Sequence, residues 1–319
     1  MNSRVLVTGA NGFVGRALCV DLAQRGFAVR AAVREPLRAT GVPGEVVQTA
    51  DIGAVADWSS ALAGVDAVAH LAARVHVMRD AVLQPLATFR AVNVVATEHL
   101  ARAAAAHGVK RFVYVSSIKV NGEGTPPGRL YTPDNVPAPI DPYGISKYEA
   151  EQALRHVAQE TGLEIVIIRP VLVYGPGVKA NFLSMMRWLH TGIPLPLGAI
   201  ENQRSLVALD NLVDLIVTCL YHPKATNQTF LVSDGEDLST PELLRRSAAA
   251  LGRAARLIPV PVAVLRMASR LVGKADLAER LCGSLQVDIG KTRDLLGWVP
   301  PVSVDDALKQ TARHFLANL

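Results

Sequence analysis

The segment Asp141-Pro142-Tyr143-Gly144-Ile145-Ser146-Lys147 holds the most promising chemistry in this sequence. Asp141 is a good helix N-cap and Pro142 suits the first helical position, so a helix is expected to start here. Tyr143 and Lys147 are then one turn apart and share a face of that helix. A lysine ammonium beside a phenol favours the phenolate, and one pKa unit corresponds to about 1.4 kcal/mol. A tyrosine so placed exchanges a proton near neutral pH, where a free phenol with a pKa of about 10 is sluggish. The spacing alone is a weak signal, since exposed helices produce Tyr-x-x-x-Lys by chance. Its weight rests on the upstream elements that would bring a reactant to it.

Those elements start at the N-terminus. Arg4-Val5-Leu6-Val7-Thr8 reads as a short buried strand, followed by Gly9-Ala10-Asn11-Gly12-Phe13-Val14-Gly15 and a helix to about Arg25. Strand, glycine turn and helix in that order form a dinucleotide-binding fingerprint. Gly9 permits the tight turn, Gly12 lets the backbone approach a pyrophosphate, and Gly15 lets helix and strand pack closely. The first gap is one residue wider than in Gly-x-Gly-x-x-Gly.

A second strand, Phe27 to Val33, ends at Arg34-Glu35, with Arg38 close behind. NAD-preferring folds place a carboxylate there for the ribose 2′-hydroxyl, whereas a guanidinium suits a 2′-phosphate. NADP is therefore the expected cofactor and NAD the alternative, for which Glu35 speaks. Asp51-Ile52 follows the next strand, where the carboxylate could meet an adenine edge. Asp66 to His70 is a further strand, running into Leu71-Ala72-Ala73. No carboxylate accompanies His70, so it reads as packing near the cofactor. Asn93 sits in an apolar helix from about Pro85 to His107 and needs hydrogen-bond partners if buried. Arg111 to Ser116 is another strand, and the Pro- and Gly-rich loop Glu123 to Ile140 is expected to lie over a site.

With 319 residues, the chain is long enough for one large domain or two smaller ones. It is 50% hydrophobic but only 5% aromatic, and with 24 Gly this suits close helix–sheet packing in an α/β protein. A formal charge of +5, with the cations scattered, argues against nucleic-acid binding and suits an anionic small substrate. Cys19, Cys219 and Cys282 have no metal-ligand spacing, so no metal site is expected and the thiols read as reduced. No leader pattern or membrane-length apolar run is seen, which predicts a cytoplasmic protein without stable membrane insertion.

Taken together, the chain resembles the extended short-chain dehydrogenase/reductase family, in its nucleotide-sugar epimerase, dehydratase and reductase branch. The residues that carry the resemblance are Thr8-Gly9-x-x-Gly12-x-x-Gly15, Asp51-Ile52, His70-Leu71-Ala72-Ala73, Asn93, Ser116-Ser117, Tyr143-x-x-x-Lys147 and Arg169-Pro170. It implies a Rossmann-type doubly wound parallel sheet, residues 1–171 plus about 204–234. A smaller, discontinuous α-rich substrate domain would comprise about 172–203 plus 235–319. It also implies that Ser117, Tyr143 and Lys147 are the catalytic trio. Ser117 would polarise the sugar oxygen, Tyr143 would exchange its proton, and Lys147 would lower the Tyr143 pKa and hold the nicotinamide ribose. Asn93 would hold the structure around Lys147. Asn11, Phe13, Val14 and Leu71 to Ala73 would border the cofactor.

For a UDP-sugar, the resemblance points to Asn181 and Arg204 near the diphosphate, with Arg280 as a second arginine. Lys119 and Asn121 would touch the sugar. Ile118-Lys119 stands where dehydratases carry acidic residues, which disfavours dehydration. The expected function is NADP-dependent reduction of a UDP-linked 2-acetamido-2,6-dideoxy-4-hexulose in bacterial surface polysaccharide synthesis. The alternative is a UDP-GlcNAc or UDP-Glc 4-epimerase with tightly bound NAD, and a third reading is a non-catalytic NADP-binding sensor. A homodimer is allowed. Leu206 to Leu220 is expected as a strand and helix of the first domain. Val262 to Val272, with Arg266 and Arg270 on an apolar helix, reads as a core helix of the substrate domain rather than a membrane-surface element.

Overall fold

The computed structural model describes residues 3–49, 56–75, 85–271, 273 and 275–319, with side chains except those of Arg38 and residues 275–278. Ten strands form among these residues. They are β1 (Arg4–Thr8), β2 (Ala28–Val33), β3 (Glu45–Gln48), β4 (Ala67–His70), β5 (Arg111–Val115), β6 (Glu164–Pro170), β7 (Leu172–Tyr174), β8 (Arg204–Ala208), β9 (Thr229–Val232) and β10 (Asp237–Leu238). Seven make one sheet in the order β3-β2-β1-β4-β5-β6-β9, and every pair in it is parallel. Because helices cover both faces, the strands are apolar on both sides. Val5 and Val7 meet Leu18, Leu22, Leu212 and Ile216 on one face. Leu6, Val68 and Phe112 meet Leu100, Leu154 and Val157 on the other. That two-residue alternation is the strand period.

The register aligns the carboxyl ends of the central strands. Thr8 pairs with Ala32 on one side and His70 on the other, and His70 pairs with Tyr114. In a doubly wound sheet, ligands bind at those ends, where the strand order reverses direction. Here the reversal falls between β1 and β4.

Two expectations from the sequence change. Arg204–Ala208 does not join the main sheet, because β9 already occupies the open edge of β6. Instead β8 lies between β7, to which it runs parallel, and β10, to which it runs antiparallel. The following helix, Leu209–Tyr221, does pack against the main sheet, through Leu212 and Ile216. The helix Val262–Leu271 is not a core helix and has no buried residue. Val262, Leu265 and Ser269 are half-buried, whereas Val264, Met267 and Leu271 face outward. No helix among the described residues is long and apolar enough to cross a membrane.

Candidate active site

The glycine turn after β1 is shaped by contacts that exclude a β-carbon. Gly9 has φ +67°, and the Gly12 N–H donates to its carbonyl at 2.9 Å. A β-carbon on Gly15 would sit 2.1 Å from the Gly9 oxygen, and one on Gly9 would sit 3.0 Å from Ala72 N. The turn is thereby pressed against the segment leaving β4. Gly12 caps the helix Phe13–Gln24 without a side chain, which leaves the first N–H groups available to an anion. These residues suit the pyrophosphate of a dinucleotide. Asn11 accepts from Arg16 Nε at 3.3 Å, and Phe13 and Val14 open the helix.

Thr8 ties β1 to the exit of β4. Its hydroxyl accepts from Leu71 N and Ala72 N, each at 3.2 Å, and so gives its proton to His70 Nδ1 at 2.7 Å. His70 then donates from Nε2 to Thr97 Oγ1 at 3.0 Å, which fixes its neutral tautomer. Burial pulls its pKa down to about 3, with the Lys147 charge adding to the effect. His70 is therefore a neutral spacer, and Leu71, Ala72 and Ala73 continue from it half-buried. Arg34 follows β2 and is exposed, its carbonyl accepting from Gln48 Nε2 at 3.3 Å. The Arg38 side chain, Asp51 and Ile52 lie outside the described residues.

The helix Pro142–Thr161 starts as its sequence dictates. Asp141 Oδ1 accepts from Gly144 N at 2.6 Å, Pro142 takes the first position, and Gly162 closes the helix at φ +76°. Tyr143 is half-buried and packs edge-on against Phe89, ring centres 6.1 Å apart. Lys147 is 2% exposed, a rare position for a lysine. Its Nζ donates to the Val115 carbonyl at 2.9 Å and lies 4.5 Å above the Tyr114 ring and 5.9 Å from the Tyr143 ring centre. Burial pulls Lys147 down to about 7 against the opposing charge of Glu151. Burial also pushes the Tyr143 phenol upward, with Asp141 adding to it. The structure thus shows desolvation, rather than the expected ammonium effect, dominating at the phenol.

Asn93 lies on a wider π turn, Ala91–Val95, within the rod that begins at Pro85. Its Oδ1 accepts from Arg74 N at 2.8 Å, and its Nδ2 donates to Arg74 O at 3.1 Å and Ser146 Oγ at 3.0 Å. Ser146 passes the contact to the Tyr143 carbonyl at 2.8 Å. Asn93 therefore fixes the segment after β4 to the helix that carries Tyr143 and Lys147. Ser117 caps the short turn Ile118–Val120 by accepting from Lys119 N at 3.3 Å, a role that leaves its own proton unused.

Sequence reasoning missed Glu151. It is 1% exposed and accepts from Ser116 Oγ at 2.6 Å and from Arg169 Nε and Nη2 at 2.9 and 2.6 Å. Arg169 Nη1 donates to Asn121 Oδ1 at 2.9 Å, and Asn121 Nδ2 donates to the Thr132 carbonyl at 2.9 Å. A signal was present: Tyr143, Lys147 and Glu151 repeat every four residues along one helix face.

The residues read as sugar contacts are placed unevenly. Asn121 is 1% exposed, with both ends of its amide committed to the framework behind the site rather than turned to a ligand. Lys119 pairs with Asp141, the cap of the helix that carries Tyr143 and Lys147, and with Glu123 at 3.2 Å. Asn181 is exposed in the first turn of the helix Ala180–Thr191, next to Ala180 with φ +52°. Arg204 Nη1 donates to the carbonyls of Arg280 and Gly283 at 2.8 and 3.1 Å. The two arginines thus meet through the Arg280 backbone, and the Arg280 side chain is exposed. No group of three or more metal-ligating side chains occurs among the described residues.

Comparison with known proteins agrees with this fold. Over 318 residues the chain is 48% identical to a UDP-glucose 4-epimerase of Vibrio cholerae, covering 99% of this chain and 96% of that protein. Its fold is similar to the solved UDP-glucuronic acid 4-epimerase of Bacillus cereus, with a TM-score of 0.79, 22% identity and 99% of both chains covered. It is also similar to the UDP-glucose 4-epimerase of Thermotoga maritima, with a TM-score of 0.77, 23% identity and 99% of both chains covered. Residues 5–233 match the model of the NAD dependent epimerase/dehydratase family. The chain belongs to that family and is an enzyme of the extended short-chain dehydrogenase/reductase class.

Proposed function

We propose that this enzyme is a UDP-hexose 4-epimerase using a nicotinamide dinucleotide. The observation that carries the reading is Tyr143, half-buried beside the fully enclosed Lys147, whose Nζ donates to the carbonyl of Val115 at the carboxyl end of β5. The 48% identity over almost the whole chain to a UDP-glucose 4-epimerase supports it and favours epimerisation over the net reduction expected from sequence. When bound, the nicotinamide supplies reversible redox chemistry at C4 of the sugar. As a phenolate stabilised by the Lys147 ammonium, Tyr143 would take the proton of the C4 hydroxyl and later return it, and Ser117 would donate to the same oxygen. Lys147 supports that phenolate when it is charged; burial works against that charge and Glu151 works for it. Gly9, Gly12, Gly15 and the helix start would hold the pyrophosphate. The nucleotide-sugar side would comprise residues 172–203 and 235–319, with β8 added, and Arg204 and Asn181 near the diphosphate.

One observation favours a second reading, NADPH-dependent reduction of a 4-keto sugar: Arg34 stands where a carboxylate would read the ribose 2′-hydroxyl. One incubation separates the two. The purified enzyme, with no added cofactor, is expected to interconvert UDP-glucose or UDP-GlcNAc with its C4 epimer. Absence of interconversion, together with one NADPH consumed per UDP-4-keto sugar, would replace the epimerase reading with the reductase.

A further inference from the structure

We propose that the helix Val262–Leu271 and the cationic stretch around it dock on an anionic phospholipid surface. The helix rests on the protein along Val262, Leu265 and Ser269, its half-buried stripe. The opposite side of a surface helix is normally polar. Here it is apolar, with Val264, Met267 and Leu271 at 45, 61 and 82% exposure. Ile258, 50% exposed, extends the patch upstream together with the exposed Pro259 and Pro261.

Charge settles which partner fits. Arg266 and Arg270 lie one turn apart beside the apolar stripe, and Arg253 and Arg256 are exposed just before the helix. Among the described residues, Arg266 pairs with Glu279 at 3.4 Å. Residues 243–275 hold seven of the chain's 33 cationic residues and none of its 28 acidic ones, so the rest of the molecule is net anionic. An apolar stripe flanked by arginines is the pattern of a helix lying in the headgroup layer, with arginines on phosphates and aliphatic side chains among the outer acyl carbons. A symmetric contact with a second copy would set these arginines against their own images. With no membrane-crossing helix among the described residues, the association is peripheral, and a ten-residue helix makes it weak and salt-sensitive.

The inference does not depend on the reaction assigned above. The full-length enzyme is spun with vesicles of phosphatidylcholine alone or mixed with phosphatidylglycerol, at low and high salt. It should pellet with the mixed vesicles, be released by salt, and stay in solution with phosphatidylcholine. Arg270→Glu should weaken pelleting by about fivefold or more, since each cation near such a surface is worth about that factor. Met267→Glu with Leu271→Glu should abolish it. Both side chains are more than half exposed, so the melting temperature and turnover on a soluble sugar nucleotide should match the wild type. Equal pelleting with both vesicle types, or variants that pellet like the wild type, would overturn the proposal. So would a wild-type dimer that the same variants dissociate, with no vesicle binding, since the patch would then face a second copy.

Discussion

Glu151→Gln tests how much of the site rests on charge enclosed behind it. The carboxylate accepts three hydrogen bonds, at 2.6, 2.9 and 2.6 Å, two of them from Arg169. Both side chains are almost sealed from water, at 1 and 3% exposure. The glutamine keeps the volume but loses the charge and turns an N–H towards a donor. Breaking one side of a buried pair strands the other charge, at a cost of about 3–5 kcal/mol. For a chain of this size, that should lower Tm by roughly 4–7 °C. Urea titration should show the midpoint falling with an unchanged slope. Replacing both partners, as Glu151→Leu with Arg169→Met, should cost less than Glu151→Gln, because no charge is left uncompensated. The loss should not vanish, since Ser116 and Asn121 each forfeit a partner worth about 1–3 kcal/mol. A second readout reaches Lys147. Glu151 opposes the effect of burial on Lys147, so the variant should shift any titration of Lys147 in the rate profile to lower pH. A single variant within 1 kcal/mol of wild type, or an unmoved rate profile, would refute this account.

Three further outcomes are expected. Tyr143→Phe should fold and bind cofactor, because the ring contact with Phe89 survives, while turnover falls by about 10²–10⁴ in a steady-state assay. Gly15→Ala should lose cofactor affinity by at least about tenfold in a fluorescence titration and destabilise the fold by roughly 1–3 kcal/mol, because the new methyl meets the Gly9 carbonyl. His70 is held neutral down to about pH 3, so the stability it contributes is complete above its ordinary value of 6.5 and drains away as pH falls from 6.5 through 3. Urea midpoints across that range should decline more steeply for wild type than for His70→Gln, and parallel declines would exclude His70 as the cause.

What the sequence made legible was local. The glycine turn and the Asp141-Pro142 helix start are fixed by backbone chemistry within a few residues, and both lie where the pattern puts them. What stayed hidden was settled by distant partners. A glutamate on a helix reads as surface, and only Arg169, eighteen residues on, explains why Glu151 is inside. Asn121 looked like a ligand contact because nothing near it in sequence names Arg169 or Thr132 as its partners. Strand β8 has the composition of a main-sheet strand, and its sheet is decided by β9 having taken the open edge. The exposed helix Val262–Leu271 has the residue types of a core helix, so composition alone misassigned it.

The π turn at Ala91–Val95 has a consequence for how the chain tolerates length changes. A π turn is an α-helix with one residue too many, so its two flanks are out of phase by about 100°. Deleting a single residue from Ala91–Val95 would let the rod relax into an uninterrupted α-helix, a gain for the helix by itself. The same deletion would swing Asn93, or whatever replaced it, out of line with Arg74 and Ser146, and the helix carrying Tyr143 and Lys147 would lose its tie to β4. Helix regularity and site geometry therefore pull in opposite directions here. In this stretch, a frame-preserving deletion that leaves the fold more regular should be more damaging than most substitutions.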